Sequence, residues 1–454
     1  MAWKPWTDIC HPYQSLLVIF TLWKGLLFLI VILTPGAGYD TSTTLIQWNG
    51  NATKTPMPVF LETVSLKLTR WDAIYFTKAA NRGYDFEQEW AFSYGLSRLI
   101  HVLGDGLRKV GILDYAFNES VVGILVSYAA HGLSVIVLYQ LIYALFPGAH
   151  GRKIALLAAC LHVLSPAGAF LSAPTAESAH VFLSFCGSLF FVQSFSPSDA
   201  SSFSSGLLQD ALLVPAGILH GLATTCRSNG LLNGILFFEE AVRLLFSLSL
   251  GVSHAKLRRL LAVGVAGICT GLGFILPQYI AYQKFCTLPA NQEPRVWCRR
   301  TIPSIYSFVQ DHYWDNGFLR YWTLSNIPLF GLAAPMLAIL MASGSQALRG
   351  DFRKVAGEMR DSPQARLTDR LLRSLAVPQV VLAVLTFFNH HVQVITRMSS
   401  GYPVWYLWLA CLLLQARSSK EDGGRNRKAN LTVNYMVVYA LVQGVLFASF
   451  LPPA

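Results

Sequence analysis

Apolar runs about as long as a membrane is thick recur along the whole chain and constrain its fold more than any other feature. A helix needs roughly 20 apolar residues to cross a bilayer, and the sequence predicts about eleven such spans. They are 15–35, 120–146, 154–173, 176–194, 207–226, 230–250, 260–282, 324–342, 371–388, 403–415 and 433–450. The prediction is an all-α polytopic membrane protein in which residues 1–454 form one multi-span domain.

Composition agrees with this class. The 454 residues are 53% hydrophobic and 13% charged, whereas soluble proteins carry about 25% charged residues. The net charge of +11 does not indicate a nucleic-acid partner, because the basic residues collect in short loops between spans. The first span is longer than the apolar core of a signal peptide and no A-x-A cleavage site follows it, so we expect a retained anchor.

Basic residues occupy alternate loops and predict the orientation. By the positive-inside rule these loops, including the basic loop 343–370, face the cytosol together with the N-terminus. The other set of loops then faces the opposite compartment. It contains the large first loop 36–119, the turn near Pro174–Glu177, the turn at Arg227–Gly230, the loop 283–323 and the loop 389–402. Nearly every unusual polar residue lies in this second set of loops.

Asp72 follows Arg70 and Trp71 at the predicted start of an amphipathic helix. Its carboxylate is either a helix cap or partner of Arg70, or a general base at the membrane boundary. Glu87 and Glu89 follow in the same loop, and they form either a solvated acidic turn or part of a site.

Glu177 lies in a hairpin between two spans. A carboxylate at membrane depth costs about 2.5–3.5 kcal/mol and normally has a partner or a water-filled cavity. Arg227 interrupts another hairpin, where its planar fork suits a phosphate, with interfacial snorkelling as the alternative. His391, Gln393 and Arg397 share the last polar loop, in which the adjacent His390 and His391 indicate a metal only weakly.

Cysteines and sequons add further tests. Cys286 and Cys298 share one non-cytosolic loop, where they either pair in a disulfide or remain two buried thiols. Sequons at Asn51 and Asn118 fall on the non-cytosolic side and predict glycans, whereas the sequon at Asn430 adjoins the most basic loop and should stay unmodified.

A series of polar and aromatic motifs follows in a fixed order. The members are Arg70-Trp71-Asp72, Gly83-Tyr84, Glu87-Gln88-Glu89-Trp90-Ala91-Phe92, Ser165-Pro166 with Glu177-Ser178, Arg227-Ser228-Asn229-Gly230, Trp297-Cys298, Trp314-Asp315-Asn316-Gly317-Phe318-Leu319-Arg320-Tyr321-Trp322, and His391-Val392-Gln393-Val394 with Thr396-Arg397. Over about residues 15 to 415 the series resembles the GPI mannosyltransferase 2 family, which adds the second mannose of the glycosylphosphatidylinositol (GPI) anchor. One departure is Ser93-Tyr94-Gly95, where that family's pattern leads us to expect a proline-containing aromatic turn.

The resemblance implies a GT-C type glycosyltransferase with lumenal active-site loops in the endoplasmic reticulum membrane. Its donor would be dolichyl-phosphate mannose, its acceptor a mannosyl-glucosaminyl-phosphatidylinositol, and the new bond α-1,6. No tightly bound cofactor is expected, and a divalent metal is not required. An accessory membrane subunit cannot be read from the sequence.

The same resemblance assigns roles to residues. Asp72 would be the catalytic base of an inverting reaction, and Arg227 and Arg397 would stabilise charge on the leaving phosphate. The substrate-binding or supporting residues would be Arg70, Trp71, Glu87, Glu89, Glu177, His391 and Gln393. Two alternatives remain: a dolichyl-phosphate-mannose-dependent transferase with another acceptor, and a polytopic lipid or solute transporter. No related halves of the kind common in transporters occur in the sequence.

Overall fold

The computed structural model describes residues 10–36, 38–43, 57–92, 94–112, 118–195, 203–287, 294–350, 352, 362–418 and 423–452. These residues form α-helices and short 3-10 turns, and no β-strand occurs among them. The α-helices, in chain order, are α1 Pro12–Leu33, α2 Val59–Leu68, α3 Asp72–Arg82, α4 Tyr94–Lys109, α5 Asn118–Leu145, α6 Ala149–Val163, α7 Ala176–Gln193, α8 Phe203–Cys226, α9 Gly234–Ser249, α10 His254–Cys286, α11 Ile305–His312, α12 Ile327–Arg349, α13 Pro363–Asn389, α14 Ile395–Met398, α15 Pro403–Ser418 and α16 Gly423–Ala448.

The prediction of an all-α multi-pass membrane protein is confirmed. Within the described part of the chain, 7 helical segments are long and apolar enough to cross a membrane: Pro12–Leu33, Asn118–Leu145, Gly206–Cys226, His254–Cys286, Leu324–Arg349, Pro363–Asn389 and Arg427–Ala448. The other predicted spans coincide with the shorter helices α6, α7, α9 and α15, so the count of eleven is not confirmed.

Several predicted boundaries are wrong, and the clearest case is the span 154–173. Helix α6 ends at Val163 and is followed by a separate 3-10 turn, Gly168–Leu171. Pro166 explains the break, because proline lacks a backbone N–H and disfavours helical geometry in the residue before it. The basic loop predicted at 343–370 is also shorter, since α12 continues to Arg349 and α13 begins at Pro363.

Glycines let α8 and α10 pack with their backbones in close contact. A Cβ atom on Gly217 would lie 2.3 Å from Ala266 Cα, and one on Gly221 would lie 2.3 Å from Cys269 O. Small residues four apart are a common means of close helix association in membranes, where apolar side chains gain little by leaving lipid. This contact fixes the position of the end of α8, which leads directly into Arg227.

Ion pairs join four helices at the basic end of the bundle, defined here as the end at which α8, α10 and α13 begin and α9 and α12 end. Arg258 Nε lies 2.6 Å from Asp210 Oδ2, and Arg259 bridges Asp210 and Glu240 at 3.1 Å each. Arg370 of α13 also pairs with Glu240. Part of the basic charge therefore locks helices α8, α9, α10 and α13 together.

The opposite end, called here the large-loop end, carries the described residues of the predicted loops 36–119, 283–323 and 389–402. Helix α3 lies on this end with Phe76 and Ala80 buried against Leu96 and Ile100 of α4 and against Cys226 at the end of α8. The helix is amphipathic, and burial of its apolar face fixes the direction of its polar face. This packing places the start of α3 beside the ends of the long helices.

Candidate active site

The polar loop before α3 is held by a buried arginine. Arg70 Nη1 donates to Thr43 Oγ1 at 3.2 Å, and its guanidinium lies 5.0 Å from the ring of Phe450. Trp71 packs on the same Phe450 ring and has a φ of 53°, a backbone conformation that is unusual for a bulky residue and that clusters at functional sites. Arg70 thus anchors the loop, while Trp71 reaches the cavity described below.

Four charged side chains form a continuous chain at the large-loop end. Arg397 Nη1 lies 2.5 Å from Asp72 Oδ2 and 3.5 Å from Glu177 Oε1, and Arg227 Nη1 lies 2.5 Å from the same Glu177 oxygen. Glu177 is only 1% exposed. Because a lone buried carboxylate would be strongly destabilising, the two arginines are its necessary partners. Asp72 pairs with Arg397, so the alternative that it pairs with Arg70 is wrong.

Charge and burial act together on the ionisable groups beside Asp72. Burial alone would lower the pKa of Arg397, but Asp72 and Glu177 more than offset it and raise that pKa. Burial and the nearby negative charge of Asp72 raise the pKa of the Tyr75 phenol. Arg397 therefore stays a cation, and Tyr75 stays neutral at physiological pH.

A cavity of about 750 Å³ opens beside this charged chain and is lined by Asp72, Arg227 and Arg397. One part of its wall is apolar. Most of it comes from the long helices, through Phe274, Pro277, Leu329, Leu382 and Leu385, and the turn Ser228–Asn233 adds Leu231. Another part is polar and aromatic: Phe92, Gln310, Trp314, Asn316, His391 and Gln393. Such a cavity can hold a molecule with a charged group between an apolar chain and a polar end.

Glu87 and Glu89 do not line this cavity and instead bind donor groups within the loops. Glu89 pairs with Arg82, and its Oε2 accepts from the backbone N–H groups of Asp85 at 2.9 Å and Phe86 at 3.0 Å. Glu87 accepts from Trp297 Nε1 at 2.9 Å. The two carboxylates fix the fold of the first loop and join it to the loop 283–323.

His391 and Gln393 line the cavity and are held by neighbouring side chains. His391 Nε2 donates to the carbonyl oxygen of Trp314 at 2.9 Å, and its ring stacks on Tyr321. Gln393 Oε1 accepts from Tyr321 Oη at 2.9 Å. The ring of His391 is thus fixed by Trp314 and Tyr321. No group of three or more His, Cys, Asp or Glu residues that could hold a metal occurs in the described ranges.

Cys286 and Cys298 form a disulfide, with their Cα atoms 5.6 Å apart. The bond joins the end of α10 to the turn that carries Trp297, whose side chain is fully buried. Since Trp297 donates to Glu87, the disulfide and this hydrogen bond together hold the two large loops in contact.

The asparagines of the three sequons differ in their surroundings. Asn51 lies outside the described residues. Asn118 begins α5 and is fully buried, and its glycosylation stays a prediction. Asn430 is exposed on α16.

Sequence reasoning missed two residues behind the cavity wall, His180 and Tyr402. The side chains of His180 and Tyr402 both contact Asn229 of the turn Ser228–Asn233. His180 follows Glu177 by three residues on α7. The spacing from Glu177 was the available signal for His180, because residues three apart on a helix share a face. No local pattern marks Tyr402.

Comparison with known proteins gives a consistent family. The sequence profile described as Mannosyltransferase (PIG-V) matches residues 13–454. The chain is 45% identical to GPI mannosyltransferase 2 of Chaetomium globosum over 471 residues, which cover 98% of this chain and 97% of that protein. It is 41% identical to the Aspergillus fumigatus protein of that name, covering 98% and 94%, and 30% identical to that of Schizosaccharomyces pombe, covering 97% and 85%.

The solved structures to which this chain is similar share less sequence with it than these relatives do. The crystal structure of the Archaeoglobus fulgidus oligosaccharyltransferase tethered with an acceptor peptide matches with a TM-score of 0.47 and 14% identity, over 98% of this chain and 56% of that one. ArnT from Cupriavidus metallidurans in the apo state matches with a TM-score of 0.37 and 13% identity, over 96% and 76%. The chain spans little more than half the length of the oligosaccharyltransferase.

Proposed function

This chain belongs to the PIG-V family of mannosyltransferases, and we propose that it transfers mannose from dolichyl-phosphate mannose to the first mannose of a GPI anchor precursor. The family and the near full-length similarity to GPI mannosyltransferase 2 proteins make it a GPI-anchor mannosyltransferase, so the transporter alternative is wrong. The donor, the acceptor, the α-1,6 linkage and the GT-C architecture belong to the proposal.

The observation that carries the proposal is the charged chain Arg227–Glu177–Arg397–Asp72, of which Arg227, Arg397 and Asp72 line the cavity. It supplies two guanidinium groups for a phosphate and one carboxylate for a hydroxyl proton, which are the groups that this reaction needs. Glu177 holds both arginines in place from behind. The apolar part of the cavity, formed mainly by long helices, suits the polyprenyl chain of a lipid-linked donor.

The chemical step follows from these groups. Asp72 accepts the proton of the acceptor hydroxyl while the oxygen of that hydroxyl bonds to C1 of the donor mannose. At the same time, the bond from C1 to the phosphate oxygen breaks. The electron pair goes to dolichyl phosphate, whose growing charge Arg227 and Arg397 stabilise. The β-linked donor gives an α-linked product, so the configuration inverts. Because the arginines supply positive charge, this step needs no metal ion.

One assay separates this proposal from the alternative transferase. Purified full-length protein receives labelled dolichyl-phosphate mannose and a GPI precursor that carries one mannose. We expect one mannose to be added, in a product that α-1,6-specific mannosidase digests. A precursor without mannose, or with a 6-deoxy first mannose, should give no product. Transfer to a different hydroxyl or to a different lipid-linked sugar would contradict the assigned acceptor.

We also propose that the large-loop end faces the lumen of the endoplasmic reticulum. The basic residues at the other end support this orientation. In a Cys10→Ser background, a membrane-impermeant maleimide should label a cysteine at the exposed position 315 only after detergent opens sealed vesicles. A cysteine at the exposed position 254, at the start of α10, should be labelled without detergent. The reverse pattern would overturn the orientation.

A further inference from the structure

Asn229 lies in the turn that directly follows Arg227 and lines the cavity. Its side chain is 7% exposed. The turn packs tightly on the end of α8, because a Cβ atom on Gly230 would lie 2.7 Å from the backbone nitrogen of Thr224. The close packing at Gly230 brings the Asn229 side chain between His180 of α7 and Tyr402, the residue before α15.

The surrounding hydrogen bonds determine which way the Asn229 amide points. His180 Nδ1 lies 3.1 Å from the carbonyl oxygen of Ala223, which can only accept, so Nδ1 carries the proton. His180 Nε2 is then an acceptor, and the group 3.3 Å from it must be the Nδ2 of Asn229. His180 is 2% exposed, and burial favours this neutral form.

Tyr402 completes the arrangement from the other side. Asn229 Nδ2 donates to Tyr402 Oη at 3.3 Å, and Tyr402 Oη donates to the backbone oxygen of Asn229 at 3.4 Å. Both protons of the Asn229 amide are thus used. Its Oδ1 is buried and has no hydrogen-bond partner among the residues that the structure describes.

Buried acceptors in folded proteins normally have a donor, so the Oδ1 of this cavity-lining residue calls for a donor that the described side chains do not supply, from a ligand or from water. A phosphate oxygen cannot fill this role, because it is itself an acceptor. A hydroxyl can. In the proposed reaction, the phosphate that Arg227 and Arg397 would bind carries the mannose directly, so a mannose hydroxyl is the donor that the neighbouring Asn229 would meet.

We infer that Asn229 Oδ1 accepts a hydrogen bond from one hydroxyl of the donor mannose and that Asn229 is a sugar-specificity residue. His180 and Tyr402 are positioning residues that orient the amide. The inference rests on the proposed function, and it adds recognition of the transferred sugar to a site whose arginines recognise only the phosphate.

The test uses dolichyl-phosphate mannose and its 2-, 3-, 4- and 6-deoxy analogues at saturating GPI acceptor. Loss of one neutral hydrogen bond should lower kcat/KM of the wild-type protein about tenfold for one analogue. Asn229→Ala should use mannose about tenfold less well and should no longer discriminate against that analogue. Asn81→Ala is the matched control, since Asn81 lies on α3 outside the cavity and bonds Glu119; it should retain the wild-type preference.

Three other results of the deoxy-donor experiment would contradict the inference, and a fourth would contradict the proposed function. Equal use of all deoxy donors by the wild-type protein overturns the inference without any variant. A uniform decrease for all donors in Asn229→Ala, with discrimination retained, would show a structural role and also overturn it. Changed discrimination among deoxy acceptors instead of donors would assign Asn229 to the acceptor and overturn it as well. If the wild-type protein transferred no mannose at all, the proposed function itself would fail.

Discussion

Asp72→Asn should reduce kcat about 10²- to 10⁴-fold, which is the usual contribution of a general base. Asparagine keeps the shape of the side chain but cannot take up the acceptor proton. Its amide oxygen can still accept from Arg397, and Arg397 also keeps Glu177 as a partner. The donor KM should therefore change much less than kcat, and a titration of dolichyl-phosphate mannose at saturating acceptor measures both quantities.

Asp315→Asn provides the matched control for this substitution. Asp315 is also on the large-loop side, but its side chain is 83% exposed, pairs only weakly with Arg320 and does not line the cavity. We expect its turnover to stay within about twofold of the wild-type value, as for most surface substitutions. Near-normal turnover by Asp72→Asn, at equal expression, would exclude Asp72 as the base.

The sequence predicted which residues gather at one end of the bundle but not how they pair. Asp72, Glu177, Arg227 and Arg397 could be assigned to one end because the direction of each span fixes the end at which each loop lies. The ion pair of Asp72 with Arg397 joins residues 325 positions apart. It depends on how α3 packs on the ends of α7 and α8, and no local pattern encodes that packing.

Glu87 and Glu89 show the opposite case. Their spacing and acidity resemble those of site residues, and the family resemblance implied a supporting role. The structure gives each carboxylate a specific donor, Trp297 for Glu87 and Arg82 for Glu89. A carboxylate that lines a cavity and one that closes a turn look alike in sequence, because the difference lies in a partner that, for Glu87, is 210 residues away.

Asn229 lies between these cases. The motif Arg227-Ser228-Asn229-Gly230 was visible in the sequence, but only Arg227 in it was predicted to have a role, the binding of phosphate. The free acceptor of Asn229 becomes visible only when His180 of α7 and Tyr402, the residue before α15, are seen to use both of its amide protons. A different limit applies to helix boundaries. The sequence predicted that short helices such as α6 and α9 exist, but it gave them the wrong ends, because hydropathy does not detect the turns at Pro166 and Gly230.

Replacing Arg227 or Arg397 with alanine should weaken the use of dolichyl-phosphate mannose about 30-fold or more. Removing one partner of a buried charged hydrogen-bonded pair costs roughly 2–5 kcal/mol, and about 1.4 kcal/mol corresponds to a factor of ten. Lysine keeps the charge but loses the planar fork that matches phosphate oxygens, so Lys variants should show a smaller defect. Glu177 retains one arginine in each single variant, and we therefore expect both proteins to fold.

The measurement is a donor titration at saturating acceptor, followed by an acceptor titration at saturating donor. Arg243→Ala is the control, because Arg243 pairs with Glu239 within α9 and lies outside the cavity. The defect of the Arg227 and Arg397 variants should be found in donor dependence, with acceptor dependence little changed. If acceptor affinity collapsed while donor dependence stayed normal, the assignment would be reversed, and these arginines would bind the inositol phosphate of the acceptor.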